Sequence, residues 1–190
     1  MKQLIGIIAA ALVFVAYTPY IKDTLKAKTK PHPYSWFVWG FLTLIIFALQ
    51  TSHGAGPGAY VTFTVGALSL FIAFLGLKHG KTDITRSDTV FFVAALLATG
   101  VWLFAKEPAL SMVLLVSIDM LGFAPTIRKA WHKPNEETLI TWEINAFRHG
   151  LSVLAIQEYS LITLLNPVVW MIANIAFSLM LVFRRKANRP

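Results

Sequence analysis

The chain contains no cysteine. This absence excludes disulfide bonds, thiolate nucleophiles and cysteine-ligated metal sites. Charged residues are also scarce, at 14% of 190 residues, where a typical soluble domain has about 25%. A chain with so few charges is not expected to be an ordinary water-soluble domain.

Apolar residues make up 56% of the chain and are gathered in long runs. A helix that crosses the hydrocarbon layer of a bilayer needs roughly 17–25 predominantly apolar residues. Seven stretches meet this requirement, which predicts an all-α integral membrane protein with seven transmembrane helices. The predicted spans are residues 4–20, 34–50, 59–77, 89–105, 109–125, 139–157 and 168–183.

The first span has a second interpretation as a signal peptide, because Lys2 precedes its apolar run. The run continues to Tyr20 without a small-residue cleavage site. It also takes the same place in an internal repeat, described below, as the fifth span. A retained helix is therefore favoured.

The basic residues predict how the spans are oriented. Of the 17 Lys and Arg residues, 14 fall on one side of the predicted membrane, Lys2 and Lys106 fall on the other, and Arg148 lies inside a span. The positive-inside rule then predicts a cell-membrane protein with its N-terminus outside and its C-terminus in the cytoplasm. The 14 residues are Lys22, Lys26, Lys28, Lys30, Lys78, Lys81, Arg86, Arg128, Lys129, Lys133, Arg184, Arg185, Lys186 and Arg189.

The positions of the basic residues also indicate which kinds of partner the protein binds. A net charge of +8 is compatible with nucleic-acid binding, but clusters between apolar runs indicate membrane topology instead. The expected partners are therefore the lipid bilayer and a small-molecule substrate, without nucleic acid. Assembly into a homo-oligomer stays open.

Two stretches of the chain repeat one another. The segment AYTPYIKDTLKAKTKPHPYSW (16–36) is echoed by GFAPTIRKAWHKPNEETLITW (122–142). Identical residues stand 106 positions apart in three pairs: Pro19 and Pro125, Ile21 and Ile127, and Trp36 and Trp142. The offset predicts a three-helix repeat in residues 1–82, a linker helix in 83–107 and a second three-helix repeat in 108–190. One linking helix makes the two triplets parallel, related by an axis along the membrane normal.

This plan resembles the SWEET and PQ-loop superfamily of seven-helix transporters. The residues that carry the resemblance are PYIKDTLKAKT (19–29) and PTIRKAWHKPNEET (125–138), at the cytoplasmic end of each triplet's first helix. Tyr20 and Thr126 stand where that family has the glutamine of its Pro-Gln motif. The resemblance implies alternating access, with Pro19 and Pro125 as hinges and a pocket asparagine on the third helix of each triplet.

The two prolines also have a purely physical interpretation. Proline removes a backbone donor and bends a helix one turn back, so Pro19 and Pro125 predict paired bend points. Alternatively, each proline ends its helix before a basic loop. The sequence leaves both interpretations open.

Two helical faces predict the site. In the second span, residues spaced by three and four positions share one face, and the positions 106 residues later form the matching face of the sixth span. Polar side chains in a membrane helix are expected to face protein or water. For Thr43 and Ser152 we favour interhelical hydrogen bonding alone. The two faces are Trp36, Trp39, Thr43, Ile46 and Gln50, and Trp142, Asn145, His149, Ser152 and Ile156.

Two charges are predicted near the middle of the membrane. At 1.5 Å per residue, Asp119 and Arg148 each lie about 15 Å from a helix end. Each alone would cost on the order of 2.5–3.5 kcal/mol, and successive helices are usually adjacent, so an Asp119–Arg148 ion pair is expected. The pair is either structural or part of transport, with Arg148 binding an anionic group or exchanging partners with Asp119 during gating. His149 beside it could make the cycle proton-sensitive.

The seventh span contributes Trp170 and Asn174 to the same predicted site. Asn174 fits the place of the pocket asparagine, but its counterpart Thr64 does not reproduce it, so a symmetric sugar pocket is not supported. The predicted substrate-binding set is Asn145, Arg148, His149, Trp170, Asn174 and Thr64. Trp36 and Trp142 are either pocket walls or, as we favour, an aromatic belt at the membrane interface.

Other classes of protein are disfavoured. The histidines lack metal-ligand spacing, so no metal site is expected. No nucleophile–base arrangement is visible, so neither an enzyme nor a cofactor is expected. The usual retinal linkage needs a lysine in the last span, and residues 168–183 have none.

The sequence therefore predicts a transporter of a small polar metabolite: a sugar, an amino acid, a riboside or an organic anion. Arg148 and His149 favour an anionic or zwitterionic solute over a neutral sugar. The alternative is a cargo or ligand receptor of the same architecture that moves no solute.

Overall fold

The computed structural model describes residues 2–52, 58–79, 84–102, 104, 107–156 and 159–187. Within them the chain forms seven α-helices and one short 3₁₀ helix, which confirms the all-α prediction. Lys81, Lys106, Arg189 and the side chain of Gln50 lie outside the described part. The helices are α1 (Lys2–Leu25), α2 (Pro33–Ser52), α3 (Gly58–His79), α4 (Arg86–Trp102), α5 (Pro108–His132), α6 (Leu139–Ala155) and α7 (Leu161–Ala187), and the 3₁₀ helix is Pro134–Glu136.

Three of the described helices are long and apolar enough to cross a membrane. They are α1, α5 from Ala109 onward, and α7. Shorter apolar helical stretches run over Pro33–Phe47 in α2 and Thr62–Lys78 in α3. Length and composition thus give at least three candidate membrane spans.

Local sequence explains where several helices begin. Pro33 and Pro108 are the first residues of α2 and α5, where the missing N–H of proline leaves no helical bond unmade. Thr85 and Asp88 form a capping box before α4: the Asp88 carboxylate accepts from the Thr85 N–H at 2.8 Å, and the Thr85 hydroxyl accepts from the Asp88 N–H at 3.3 Å. At the end of α1, Ala27 has a φ of 55°, the left-handed conformation that glycine adopts most easily.

The repeated prolines do not end their helices. Pro19 lies inside α1, which continues to Leu25, and Pro125 lies inside α5, which continues to His132. The interpretation as helix terminators is therefore wrong, and the hinge role stays a prediction. Pro167 likewise lies inside α7, which begins at Leu161 because Ser160 caps it by accepting from the Thr163 N–H.

The helices pair in a pattern that repeats along the chain. α3 packs against α1 and α2, and α7 packs against α5 and α6. Between these two sets, α1 packs along α6 and α2 packs along α5. α4 lies against α5 and also touches α2. As a result, α5 contacts α2, α4 and α7 much more than it contacts the next helix in sequence, α6.

Glycines bring α2 and α3 unusually close. A Cβ added at Gly40 would lie 2.8 Å from the Leu70 backbone nitrogen, and one added at Gly66 would lie 2.8 Å from Leu44. Only glycine allows two helix backbones to approach so closely. On α6, by contrast, a Cβ at Gly150 would meet the Met171 sulfur of α7 at an ordinary 3.5 Å.

Several polar and charged side chains are buried, while many large apolar side chains are exposed, which is the reverse of the distribution in a water-soluble protein. Asp119, Asn145, Arg148 and Asn174 are buried among the helices. Large apolar side chains are exposed on the outer faces of several helices, among them Leu4, Phe14, Leu97, Phe147, Ile172 and Phe183. Such a surface is unfavourable in water and suits an apolar surrounding.

Candidate functional site

A central cavity of about 980 Å³ lies among six of the helices. Its wall comes from α1, α2, α3, α5, α6 and α7, so α4 is the one α-helix of the described part that does not line it. The cavity reaches from the N-terminal end of α1, near Lys2 and Ile156, to a floor around Trp36 and Trp142. Its polar lining includes Tyr17, Thr43, Thr62, Ser69, Asp119, Asn145, Arg148, His149, Ser152, Asn166 and Asn174.

The floor is built from aromatic rings. Trp36 and Trp142 are buried, and their ring centroids are 6.3 Å apart. Trp39 meets Trp142 and Trp170 edge-on, and Phe123 stacks on Trp142 at 5.6 Å. Because Trp36 and Trp142 lie in this core, they do not form an outward-facing aromatic belt, and that preferred interpretation is wrong. They are walls of the cavity.

Asp119 of α5 lies beside this floor. Its Oδ2 accepts a hydrogen bond from Trp170 Nε1 at 3.3 Å, and its backbone oxygen accepts from Trp39 Nε1 at 3.2 Å. The other carboxylate oxygen, Oδ1, is buried and accepts no hydrogen bond from the described residues. The carboxyl group therefore has one neutral donor and no cationic partner there.

Arg148 lies on the α6 wall with its neighbours Asn145 and His149. Its Nη2 donates to His149 Nε2 at 3.0 Å, and its Nε points to Asn145 Oδ1 at 3.5 Å. A guanidinium has five N–H donors and no acceptor, so His149 must accept in this contact. These two contacts leave other donors of the guanidinium without an acceptor among the described residues.

The expected Asp119–Arg148 ion pair is absent from the described residues, where no carboxylate oxygen lies within 4.0 Å of Arg148. The prediction is wrong because α5 and α6 do not pack along one another: α1 packs along α6, and α2 and α7 pack along α5. Both charged groups nevertheless line the same cavity. The structure thus presents two separate ionisable groups where the sequence predicted an ion pair.

Some of the other predicted site residues line the cavity, and others do not. Trp170 and Asn174 line the cavity, and Asn174 donates to the Trp170 carbonyl at 2.6 Å while its own Oδ1 has no hydrogen-bond donor in the described part. Thr64 does not line the cavity, because Thr62 and Ser69 occupy the facing positions of α3. Ser152 lines it and also bonds within its helix, to the Arg148 carbonyl at 3.0 Å.

Below the floor, Glu137 joins several elements. Its carboxylate pairs with the buried Lys129 ammonium and accepts from Tyr20 at 3.1 Å and from Trp142 at 3.3 Å. Trp36 in turn donates to the Tyr20 hydroxyl at 3.1 Å. We call these five residues, Tyr20, Trp36, Lys129, Glu137 and Trp142, the lower cluster.

A second cavity, of about 440 Å³, lies on the far side of the lower cluster. Glu137 lines this cavity, while Trp36 and Trp142 line the central one. The hydrogen bond from Trp142 to Glu137 therefore connects the wall of one cavity to the wall of the other.

Sequence reasoning missed Glu137 and treated Lys129 only as a topological charge. A signal was present, because the repeat offset of 106 places Lys30 opposite Glu136, and these two residues form an ion pair at 2.6 Å. Opposite charges at equivalent positions of two repeats can meet at the axis between them. The same reasoning would have directed attention to the acidic pair at 136–137.

Asp88 and His32 form a separate buried group near the start of α4. Arg128 donates to both Asp88 oxygens at 2.8 Å, and His32 Nε2 lies 3.3 Å from Oδ2. Burial lowers the pKa of His32 to about 4, although the neighbouring carboxylate opposes this shift. Burial alone would raise the pKa of Asp88, but the hydrogen bonds from Arg128 and Thr85 hold it below its usual value.

Chemically, the lining of the central cavity is suited to binding a polar solute. It brings together hydrogen-bonding groups, one carboxyl group, one guanidinium and aromatic faces, which together can orient a small polar molecule. Comparison with known proteins gives no further guide: no family model, curated protein or solved structure matches this chain.

Proposed function

We propose that this protein is a seven-helix membrane transporter of a small polar metabolite that works by alternating access. The solute would bind in the central cavity and leave through the second cavity once the lower cluster opens. The N-terminus would lie outside and the C-terminus in the cytoplasm. Four lines of observation support this proposal.

The first line of support is the burial of polar side chains and the exposure of apolar ones. Charged and amide side chains surround a cavity, while phenylalanine and leucine side chains cover the outside. α2 and α3 have 20 and 22 residues. α4 and α6 have 17 residues each, which at 1.5 Å per residue gives about 26 Å, close to the thickness of a hydrocarbon layer. These lengths support our proposal that the other four helices also cross the membrane.

The second line is the pairing of equivalent positions. Exchanging α1 with α5, α2 with α6 and α3 with α7 leaves the pairing among these six helices unchanged. Two residue pairs separated by 106 positions also touch one another: Lys30 pairs with Glu136, and Trp36 packs against Trp142. Equivalent residues meet in this way on a two-fold axis. Both observations favour parallel triplets, as in the superfamily that the sequence resembles.

The third line carries most weight: residues of the lower cluster border both cavities. Trp142 and Glu137, joined by one hydrogen bond of 3.3 Å, line opposite cavities. Alternating access requires a central site that is closed on one side by contacts that can be broken. The lower cluster supplies such contacts, and they bridge α1, α2, α5 and α6.

The fourth line concerns orientation. The second cavity is lined by Lys28 and Arg185, which belong to the basic side of the predicted membrane. The central cavity reaches the opposite side near Lys2. With the positive-inside rule, this arrangement supports the proposal of a state open to the outside and closed to the cytoplasm.

Uptake into proteoliposomes tests the proposal. Purified protein would be reconstituted and given radiolabelled sugars, amino acids, ribosides and organic anions, with and without an inward proton gradient. We expect saturable uptake of one class, which is lost in Arg148→Met. Exposed Arg86 provides the matched control, and Arg86→Met should retain uptake.

Absence of uptake would contradict transport if the same preparation binds its ligand. Folding would be verified by size-exclusion chromatography and ligand binding by thermal stabilisation in detergent. Binding without uptake of any class in the panel would establish the receptor alternative.

A further inference from the structure

The two buried charges of the central cavity suggest which solute it takes. Asp119 is 3% exposed and Arg148 is 6% exposed, and neither has an oppositely charged partner within 4.0 Å in the described part of the chain. Isolated charges are costly inside a membrane and generally pair with something. Here both line one cavity, so both face the space that a ligand would occupy.

The Arg148 side of the cavity is built to receive an anion. The guanidinium is held by Asn145 and by His149, both on its own helix, so its direction is fixed before a ligand arrives. Its remaining donors match the two oxygens of a carboxylate. Ser152 and Asn145 of the same wall supply neutral hydrogen-bonding groups beside it.

The Asp119 side is built to receive a cation. Trp170 holds one carboxylate oxygen, and the other is buried without a donor. The indole rings of Trp39 and Trp170 lie next to this group, 5.4 Å apart and edge-on. A carboxylate with an unused oxygen beside aromatic faces is a suitable site for an ammonium group.

Other solutes fit these groups less well. A simple anion would satisfy Arg148 but would bring a second negative charge near Asp119. A neutral sugar would leave both charges without a counter-charge in a buried place, which is unfavourable. The first half of the chain does not offset either charge, because the positions 106 residues earlier are the apolar Val13 and Leu42.

We infer that the central cavity binds a zwitterionic amino acid, with its carboxylate at Arg148 and its ammonium at Asp119. This inference rests on the proposed function for its biological meaning, but the site itself can be tested by binding alone. It assigns opposite ends of one ligand to α6 and α5, two helices that do not pack along one another.

The test is binding to full-length protein in detergent, measured by calorimetry. A panel of the common amino acids identifies the best ligand. That ligand is then compared with the amine that lacks its carboxylate, with the acid that lacks its ammonium, and with glucose. We expect the amine and the acid each to bind about tenfold more weakly or worse, because each loses a charge-assisted contact.

Two variants should give a crossed pattern. Arg148→Gln should weaken binding of the amino acid and of the acid but not of the amine. Asp119→Asn should weaken binding of the amino acid and of the amine but not of the acid. A variant that merely misfolds would lose all three ligands. Arg86→Gln and Glu143→Gln, which change exposed charges, should leave all three affinities unchanged.

Some results would overturn the inference. These are an acid or a sugar that binds as tightly as the best amino acid, no binding by any amino acid, or variants that affect all ligands equally. Uptake separates this failure from failure of the proposed function. Amino-acid binding without uptake would remove transport and keep the site, whereas saturable uptake of another class would keep transport and remove the zwitterion site.

Discussion

Replacing Glu137 with glutamine is the most informative perturbation of the lower cluster. Glutamine has nearly the same shape, but one of its two terminal atoms becomes a donor. Glu137 accepts from Lys129 through Oε1 and from Tyr20 and Trp142 through Oε2. Whichever way the amide is turned, a donor then faces either the Lys129 ammonium or the Trp142 N–H.

The expected loss is large because Lys129 is almost fully buried. With Glu137 replaced, the Lys129 ammonium has no anionic partner and keeps the backbone carbonyls of Lys30 and Glu136 and, in one orientation, the neutral amide oxygen. Removing one partner of a buried ion pair typically costs about 3–5 kcal/mol. On a scale of about 2–4 °C per kcal/mol, the unfolding midpoint should fall by roughly 6–20 °C.

Thermal unfolding of detergent-purified protein provides the assay, with Glu136→Gln as the matched control. Glu136 is the adjacent carboxylate, and its ion pair with Lys30 is partly exposed, so its loss should cost less than about 1 kcal/mol. The double variant Lys129→Met, Glu137→Gln should be more stable than Glu137→Gln alone, because no charge is left without a partner. Equal destabilisation by Glu137→Gln and Glu136→Gln would refute this reasoning.

Three further predictions concern other parts of the fold. First, burial lowers the pKa of His32 to about 4, so the imidazole is protonated in the folded state only near that pH. In the unfolded chain it is protonated below about pH 6.5. The free energy of unfolding should therefore fall by up to about 3 kcal/mol as the pH drops from about 6.5 toward 4. Thermal unfolding of His32→Gln should show a shallower loss over this range, and an unchanged slope would contradict the assignment. Second, Ala27→Gly should stabilise by about 0.5–1 kcal/mol, since Ala27 has a φ of 55° and glycine adopts it without strain; a lower unfolding midpoint would argue against it. Third, Gly40→Ala should destabilise the protein by about 1–3 kcal/mol, because the added Cβ would lie 2.8 Å from a backbone nitrogen. Gly150→Ala should be tolerated, because its Cβ meets only a side chain at a normal distance. The unfolding midpoint of Gly40→Ala should therefore be the lower of the two, and equal midpoints would contradict this prediction.

The sequence predicted the helices and much of the cavity lining. Periodicity alone brought Trp39, Asn145 and His149 to inward faces, because a helix that is apolar outside must turn its polar residues inward. Arg148 and Asp119 were recognised by their depth, which follows from the rise per residue. These inferences need only local geometry, and local geometry is what a sequence specifies most directly.

Contacts between distant segments were harder to predict. The Asp119–Arg148 pair was expected because neighbours in sequence are usually neighbours in space, but α1 lies where α5 was expected, against α6. Lys129 and Glu137 stand in segments that looked like solvated, basic connections, and their burial depends on how both halves of the chain meet. Pro19 and Pro125 showed a similar limit, since a proline near a helix end looks the same whether the helix stops or continues.

The unequal use of glycine in the two halves has a mechanical consequence. α2 and α3 are interlocked at Gly40 and Gly66, where each backbone leaves no space for sliding. α6 and α7 meet near Gly150 through the flexible side chain of Met171, at a normal contact distance. These contacts predict that α6 can shift against α7 more easily than α2 can shift against α3. In the proposed transport cycle we therefore expect the helices that carry Arg148 and Asn174 to move relative to one another, while α2 and α3 move as one unit.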